Sequence, residues 1–215
     1  MKKIIALFIA FTFGILVFAQ NSAQNSAFEQ VCKTISSHKI TKGTFNQTKV
    51  IKKISREIKS SGTFVVSSDN GVLWNTQKPF KSSMAITKSG IVQTAANGKK
   101  SVISSNGNAT FEQVSSLMAS LFNGEVASLN NNFEIEFIGS QENWNANLTP
   151  RDSSVRSFIQ VIEMAGHDSI DTMVLHEPSG DFTKYEFSSQ TFPATLTDEE
   201  KALFDKWNEI LKKVK

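Results

Sequence analysis

Side chains that could do chemistry are few in this chain, and they are scattered along it. The three histidines, His38, His167 and His176, fall in a loop after the first predicted helix, in a hairpin turn and at a strand end. None lies on a predicted helix, where ligands four residues apart would share one face and could hold a metal ion together. Metal binding would therefore need residues that are far apart in the sequence.

The other candidate groups fit structural roles. Asp168 and Asp171 flank a predicted tight turn, where aspartate is favoured because its side chain bonds the local backbone. Cys32 lies on the apolar stripe of the first helix, which favours a small core residue over a nucleophile. As the single cysteine it forms no internal disulfide, and no glycine-rich loop leads from a strand into a helix. The sequence predicts no enzymatic activity, no metal site and no cofactor.

Large apolar side chains are more numerous than one sheet with a covered face requires. The chain has 17 phenylalanines, three tryptophans and five methionines but a single tyrosine. Two interpretations stay open. The rings could fill a large core beneath two or three helices, or they could line a cavity for an apolar ligand in a curved sheet.

Most of the chain has the apolar period of two that predicts β-strands. Short turns rich in Gly, Asn, Ser and Pro separate the strands, which favours antiparallel hairpins over crossovers. The pattern predicts about eleven strands in a single domain. The predicted strands are Lys42–Ile54, Ile58–Val66, Val72–Gln77, Ser82–Thr87, Ile91–Ala96, Lys100–Ser104, Phe133–Ile138, Trp144–Leu148, Val155–Ala165, Ile170–Glu177 and Phe182–Ser189.

Two helices are predicted within this strand-rich region. The first covers Ala27–Ser37, where apolar residues recur at helical spacing. The second begins after a plausible N-cap at Thr110 and ends at Gly124. Its apolar face consists of Phe111, Val114, Leu117, Met118, Leu121 and Phe122.

A third helix is predicted over the C-terminal residues 197–215. Thr197 is the N-cap, the next three residues are acidic, and lysines close the helix, which suits the helix dipole. Its apolar stripe is too large to leave in water on a monomer. Three roles stay open for this stripe: docking on the sheet, closing a cavity as a lid, or contacting a partner or membrane. The stripe consists of Leu203, Phe204, Trp207, Ile210 and Leu211.

The N-terminus has the pattern of a secretory signal. Two lysines precede an apolar run over residues 4–18 and a small residue at Ala19, so residues 1–19 are predicted to be cleaved; a cut after Ala23 is the alternative. About 196 residues then remain, with 21 basic against 20 acidic side chains. This near-balance argues against a nucleic-acid partner. The basic residues at 49–56 are interpreted as a solvated strand pair, and the expected location is the periplasm or the cell exterior.

Five short motifs occur in an order that resembles the LolA-type periplasmic lipoprotein carriers. They are a Phe-x-Gln strand at Gly43–Gln47, a Gly-x-aromatic strand at Gly62–Phe64, Leu73-Trp74 followed by Pro79, Asn143-Trp144, and Leu148-Thr149-Pro150. The order of predicted elements also agrees with that family, and the likeness covers about residues 27–190.

The resemblance implies an open, incomplete antiparallel β-barrel with helices over an apolar cavity. That cavity would receive the acyl chains of lipoproteins from an inner-membrane ABC transporter and carry them, as a monomer, to an outer-membrane acceptor. The expected cavity residues are Ile35, Phe64, Val72, Trp74, Met84, Ile86 and Trp144, with Leu117, Met118, Leu121 and Phe122 on the lid helix.

Two departures from the family pattern affect the cargo more than the fold. Ser68 stands where well-known members have an arginine that helps to hold the lid closed, and the C-terminus ends in a helix instead of a Phe-x-Phe and Pro-rich segment. A carrier for another lipid or a glycolipid, or a non-catalytic sensor on the same scaffold, therefore remains an alternative.

Overall fold

The structure is a computed structural model that describes residues 24–87, 89–104 and 124–213. Its elements follow the predicted order of one helix, six strands, and then further strands and helices. The elements are α1 (residues 24–37), β1 (Ile40–Ile51), a 3-10 turn (Lys52–Ile54), β2 (Arg56–Ser67), β3 (Gly71–Lys78), β4 (Ser82–Thr87), β5 (Gly90–Thr94), β6 (Lys100–Ser104), α2 (Val126–Asn132), β7 (Phe133–Ser140), β8 (Asn143–Pro150), α3 (Ser153–Arg156), β9 (Val161–Gly166), β10 (Ile170–His176), β11 (Phe182–Thr191) and α4 (Asp198–Lys212).

The eleven strands of the described residues form one antiparallel sheet in the order β6-β5-β4-β3-β2-β1-β11-β10-β9-β8-β7. Successive strands pair as hairpins, and the one long-range pairing joins β1 to β11. The first and last strands in this order, β6 and β7, do not pair with each other, so the sheet is open. The predicted open, mainly β architecture of about eleven strands is confirmed.

The sheet curves so that its two faces have different surroundings. Side chains alternate across a strand, and β3 shows the consequence: Val72 and Trp74 point to the inner, concave face, whereas Leu73 points to the outer face. Each face has its own apolar cluster. Burial is therefore nearly continuous along this strand instead of alternating with solvent exposure.

Helix α1 covers the inner face at the β7–β9 side. Val31 and Cys32 are buried against this face, and the Phe28 ring meets the Phe137 ring edge-on at 5.6 Å. The buried position of Cys32 confirms the core role that its helical spacing indicated. Burial, together with the nearby charge of Glu29, raises the pKa of the Cys32 thiol to about 12, so the thiol stays protonated at neutral pH.

Helix α4 covers the outer face of the sheet. Phe204, Trp207 and Leu211 pack on a cluster that includes Leu73 and Ala85. The predicted start of this helix is confirmed, because Thr197 and Glu200 form a capping box. The role left open for the stripe is now resolved: it docks on the chain's own sheet, on the face opposite to α1. Leu203, which was predicted on the buried stripe, is instead 36% exposed.

One predicted strand, Val155–Ala165, is wrong in its first half. Asp152 accepts hydrogen bonds from the backbone N–H groups of Ser154 and Val155 and starts the single-turn helix α3. The strand begins only at Val161. Asp152 is a residue type that favours a helix N-cap, whereas the apolar residues that follow it favour a strand.

Two smaller differences concern the ends of elements. The first strand leaves the sheet at Ile51, because Ser55 takes a left-handed conformation (φ 49°) and closes a turn that was assigned to the strand. The short helix α2, with Leu129 buried, was not predicted. The predicted helix over residues 110–123 lies outside the described residues.

Candidate functional site

An apolar groove of about 260 Å³ lies on the inner face of the sheet. Strands β3, β4 and β5 form one wall, and β10 and β11 form the other. Three strands separate β3 from β10 in the sheet order, so the groove exists only because the sheet curls. Its lining residues are Gln47, Val72, Trp74, Thr76, Ser82, Met84, Ile86, Gln93, Met173, Leu175 and Tyr185.

Trp74 stands at the centre of an aromatic cluster beside the groove. Its ring stacks on Phe45 at 4.0 Å and meets the edge of Tyr185 at 5.6 Å. Phe64 and Phe187 complete the cluster at 6.0 and 6.2 Å. Four strands contribute these five rings, so the cluster fixes Trp74 in place while its half-buried side chain still lines the groove.

Gly62 allows this arrangement through close backbone approach. A Cβ atom there would lie 1.9 Å from the carbonyl oxygen of Asn75 on β3, at the register shift between Ser61 and Gly62. Gly62 pairs with Phe45 on β1, so no side chain from β2 stands between the rings of Phe45 and Trp74. The Gly-x-aromatic motif thus has a packing reason.

The structure brings four of the predicted cavity residues together. Val72, Trp74, Met84 and Ile86 all line the groove. Two strand pairs place them in adjacent rows, since Trp74 lies opposite Met84 and Val72 lies opposite Ile86.

Ile35 and Phe64 line a separate small pocket of about 20 Å³ near His38 and Ile170, beneath α1. Trp144 lies in neither space: it is 2% exposed, and its indole Nε1 donates to the carbonyl oxygen of His167 at 2.7 Å. Among the described residues, Trp144 is thus a core side chain rather than a cavity side chain. The predicted lid residues Leu117, Met118, Leu121 and Phe122 lie outside the described residues.

Seven groove residues were not predicted from the sequence. The resemblance had pointed to Val72 and Trp74, and alternation along β3 and β4 extends their face to Thr76 and Ser82, so alternation could have found these two residues. Met173, Leu175 and Tyr185 had no such signal, because only the pairing of β1 with β11 brings the C-terminal strands to this wall.

The chemistry available in the groove is apolar packing with a few neutral hydrogen-bonding groups. None of the described residues that line it is charged, and the described residues contain no cluster of His, Cys, Asp and Glu that could hold a metal ion. The histidines are dispersed: His38 stacks on Phe192 at 3.7 Å, and His167 pairs with Asp171 at 2.6 Å. The arrangement suits binding of an apolar ligand.

Ser68 stands where well-known family members have the arginine that helps to hold the lid closed. In this structure it has only a local backbone role. Ser68 is exposed, and its N–H donates to the carbonyl oxygen of Lys39 at 3.0 Å. Within the part of the chain that the structure describes, no helix combines the length and the hydropathy that a membrane span needs.

Fold and groove together define an open antiparallel half-barrel with an apolar binding face. The family model described as outer membrane lipoprotein carrier protein LolA matches residues 36–202. This match spans most of the sequence, and the chain belongs to the LolA family, whose members are periplasmic carriers. No curated protein is significantly similar to the chain.

Solved structures with similar folds are distant in sequence. A DUF1329 family protein from Desulfovibrio piger is 9% identical with a TM-score of 0.46, over 81% of this chain and 95% of that one. A LolA superfamily protein from Nitrosomonas europaea is 9% identical with a TM-score of 0.45, over 80% and 96%. A putative outer membrane lipoprotein-sorting protein domain from Vibrio parahaemolyticus is 11% identical with a TM-score of 0.42, over 86% and 97%. The family assignment rests on the match to the family model.

Proposed function

We propose that this protein is a periplasmic carrier that shields the acyl chains of lipoproteins and moves them from the inner to the outer membrane. The observation that carries the proposal is the apolar groove centred on Trp74, Met84 and Ile86. It lies on the concave face of a LolA family fold, and its chemistry is that of a hydrocarbon site.

The size and lining of the groove suit part of an acyl chain. An engineered apolar cavity of about 150 Å³ is large enough for benzene, and this groove measures about 260 Å³. Each methylene removed from water contributes about 0.8 kcal/mol, so a sixteen-carbon chain has a gross driving force of about 12 kcal/mol. Ordering costs reduce that figure.

Release of the cargo also fits this lining. Without a charged group in the described wall, no ion pair has to break when the cargo leaves. Hydrophobic attraction is non-directional, so an acceptor that offers a similar apolar surface can compete for the chain. A carrier needs this property, since it must bind and then surrender the same ligand.

The remaining parts of the proposal follow from the sequence. We propose that residues 1–19 are removed on export and that residues 20–215 act as one domain, as a monomer. An inner-membrane exporter would load the groove and an outer-membrane acceptor would empty it.

A carrier for another lipid or a glycolipid is the second candidate. It is favoured by Ser68, which is exposed and bonds Lys39 only through its backbone, where well-known family members have a latch arginine. The third alternative, a sensor that uses the C-terminal helix as its contact surface, loses support because Phe204 and Trp207 on that helix are buried against the sheet.

The test is binding of an acyl ligand followed through Trp74. Adding palmitate or a palmitoylated peptide to the protein should shift the tryptophan emission and raise the melting temperature, because a ligand that binds only the folded state stabilises it. Trp144 and Trp207 are buried away from the groove, so the shift should be absent in Trp74→Phe while the rise in melting temperature persists.

Mass spectrometry of the apolar material that copurifies with the protein from native periplasm would identify the cargo. Acylated peptides support the lipoprotein carrier, whereas glycolipids or free lipids support the second candidate. A protein that responds to no acyl ligand in either assay contradicts a carrier function of the groove.

A further inference from the structure

The groove is apolar at one end and polar at the other. Val72 and Ile86 form one cross-strand pair, Trp74 and Met84 the next, and Thr76 and Ser82 the third. Moving along β3 and β4 towards their connecting turn, the lining therefore changes from hydrocarbon to hydroxyl groups. A ligand with one apolar and one polar end has a single favourable orientation in such a groove.

Gln47 adds an amide to the lining on the β1 side. It lies directly opposite Ser60 on β2, whose hydroxyl donates to the Gln47 side-chain oxygen Oε1 at 2.9 Å. This bond occupies the acceptor half of the amide. The nitrogen Nε2, with its two N–H donors, has no hydrogen-bond partner among the described residues. Ser60 thus holds Gln47 with its donor half available to the groove.

Tyr185 contributes a second neutral donor beside Gln47. The two residues are partners in the β1–β11 ladder, and both line the groove. The Tyr185 hydroxyl also has no hydrogen-bond partner among the described residues. Burial raises the pKa of the phenol, so the hydroxyl keeps its proton and remains a donor across the physiological pH range.

A lysine close to Gln47 on β1 is already paired. Lys49, two residues beyond Gln47, forms an ion pair with Glu177 at 2.9 Å. The described residues that line the groove carry no positive charge. A carboxylate or phosphate placed among them would meet only neutral donors, and a charged group leaves water at a high cost when no opposite charge receives it. A neutral acceptor, such as a carbonyl oxygen, matches the donors without that cost.

We propose that Gln47 and Tyr185 form a carbonyl-recognition subsite for an acyl ester or amide, so that the groove selects neutral acyl linkages over plain hydrocarbon and over free fatty acids. This inference rests on the proposed function, because it assumes that the groove holds an acyl chain. Gln47 and Tyr185 contact the ligand carbonyl, whereas Ser60 is a positioning residue that acts through Gln47.

The test compares two ligands that differ in one carbonyl group: monolauroylglycerol, an ester, and dodecyl glyceryl ether. Both compete against a fluorescent acyl probe and are delivered from methyl-β-cyclodextrin. The wild-type protein should bind the ester roughly 3- to 10-fold more tightly, the range expected for a net hydrogen bond. Laurate should bind more weakly than the ester at neutral pH. When laurate is protonated, its affinity should approach that of the ester.

Variants assign the preference to the named groups. Gln47→Leu and Tyr185→Phe should each lower the ester-to-ether ratio towards one and leave the ether affinity within about two-fold. Ser60→Ala should lower the ratio partly, since the amide loses its fixed orientation. Thr48→Val, next to Gln47 on β1 but outside the groove lining, is the matched control and should keep the ratio.

Three results overturn the subsite. They are equal binding of ester and ether by the wild type, an unchanged ratio in both Gln47→Leu and Tyr185→Phe, and loss of the ratio in the control Thr48→Val. If both ligands bind equally, the subsite fails and the carrier function stands. If neither ligand displaces the probe, the carrier function fails as well.

Discussion

The two faces of strands β3 to β5 are both apolar, but only one of them is covered by its own chain among the described residues. On the outer face, Phe204 and Trp207 of α4 bury Leu73 and Ala85. On the inner face, Trp74 and its neighbours stay half-buried beside an open groove. Adjacent residues of the same strand thus serve different purposes: Leu73 contributes to stability, and Trp74 is available to a ligand.

This difference shows how the described part of the fold can keep an apolar groove on one face and a well-packed helix on the other. An open groove sacrifices packing contacts on its own face. Helix α4 buries a compensating apolar surface on the other face, and Lys42 on β1 ties the helix down through a 2.6 Å ion pair with Glu200. We therefore expect that mutations on the two faces separate stability from the proposed ligand binding.

The largest effect is expected at the helix that covers the outer face. Trp207 is 6% exposed, and Trp207→Ala should lower the free energy of unfolding by about 3–5 kcal/mol, measured by urea denaturation. Its acyl affinity, measured where the variant remains folded, should stay near the wild-type value. Leu203→Ala, at an exposed position of the same helix, is the control and should cost less than 1 kcal/mol. Equal losses in both variants would contradict the docking of α4 on the sheet.

The next effect comes from crowding the outer face at a single position. Ala85 is fully buried beneath α4 (0% exposed). Ala85→Met should destabilise the protein by about 1–3 kcal/mol, because a close-packed interface has no room for the larger side chain. Thermal unfolding measures the cost. A simultaneous large loss of acyl affinity would mean that the two faces are coupled.

The adjacent residue should behave in the opposite way. Met84 faces the groove, and Met84→Gln should reduce acyl affinity about ten-fold, equivalent to about 1.4 kcal/mol, by placing an amide against hydrocarbon. Because the side chain is only half-buried, the loss of stability should stay below about 1 kcal/mol. Probe displacement and urea denaturation measure the two quantities, and a variant that unfolds before it loses binding would refute the separation.

The smallest effect is a pH dependence at the attachment of α4. Burial by itself would raise the pKa of Glu200, but hydrogen bonds from Lys42 and Thr197 outweigh it and lower the pKa below the ordinary 4.5. The folded state then favours the ionised form, so this contribution is present at neutral pH and is lost as the pH falls below about 4.5. We expect this contribution to the free energy of unfolding to be about 1 kcal/mol.

Glu200→Gln is the matched variant for this measurement, since the amide oxygen can still cap the helix but carries no charge. Its stability difference from the wild type, followed by denaturation between pH 7 and pH 3.5, should shrink as the pH falls. A difference that is constant over this range would show that the Lys42 ion pair does not stabilise the folded state.

The local elements were predictable because their signals are local. The resemblance to the LolA-type carriers pointed to Val72, Trp74, Met84 and Ile86, and their alternation along β3 and β4 places them on one face. The N-cap residue Thr197 and the acidic residues after it identified the start of α4, which the structure shows as a capping box. Where the sequence interpretation failed, at Val155–Ala165, two local signals competed: Asp152 capped a helical turn, while the apolar run that follows favoured a strand.

The residues that line the groove were only partly predictable, because some of them reach it through long-range strand pairing. Met173, Leu175 and Tyr185 belong to strands that reach the groove through the β1–β11 pairing, which joins residues more than 130 positions apart. Trp144 looked equivalent to Trp74 in the sequence, since both follow a turn on a strand. Its indole is buried by the hydrogen bond to His167 and the packing around it.

The sequence by itself determined the order of strands and helices and the family likeness, because alternation, helical period, turn residues and short motifs act over a few positions. Only the tertiary structure decided which apolar face α4 covers and which face keeps a groove. Both faces carry apolar residues, such as Leu73 on one and Trp74 on the other, and the hydrophobic effect has no direction. The curvature of the sheet and the docking of α4 determine which face is covered and which face forms the groove.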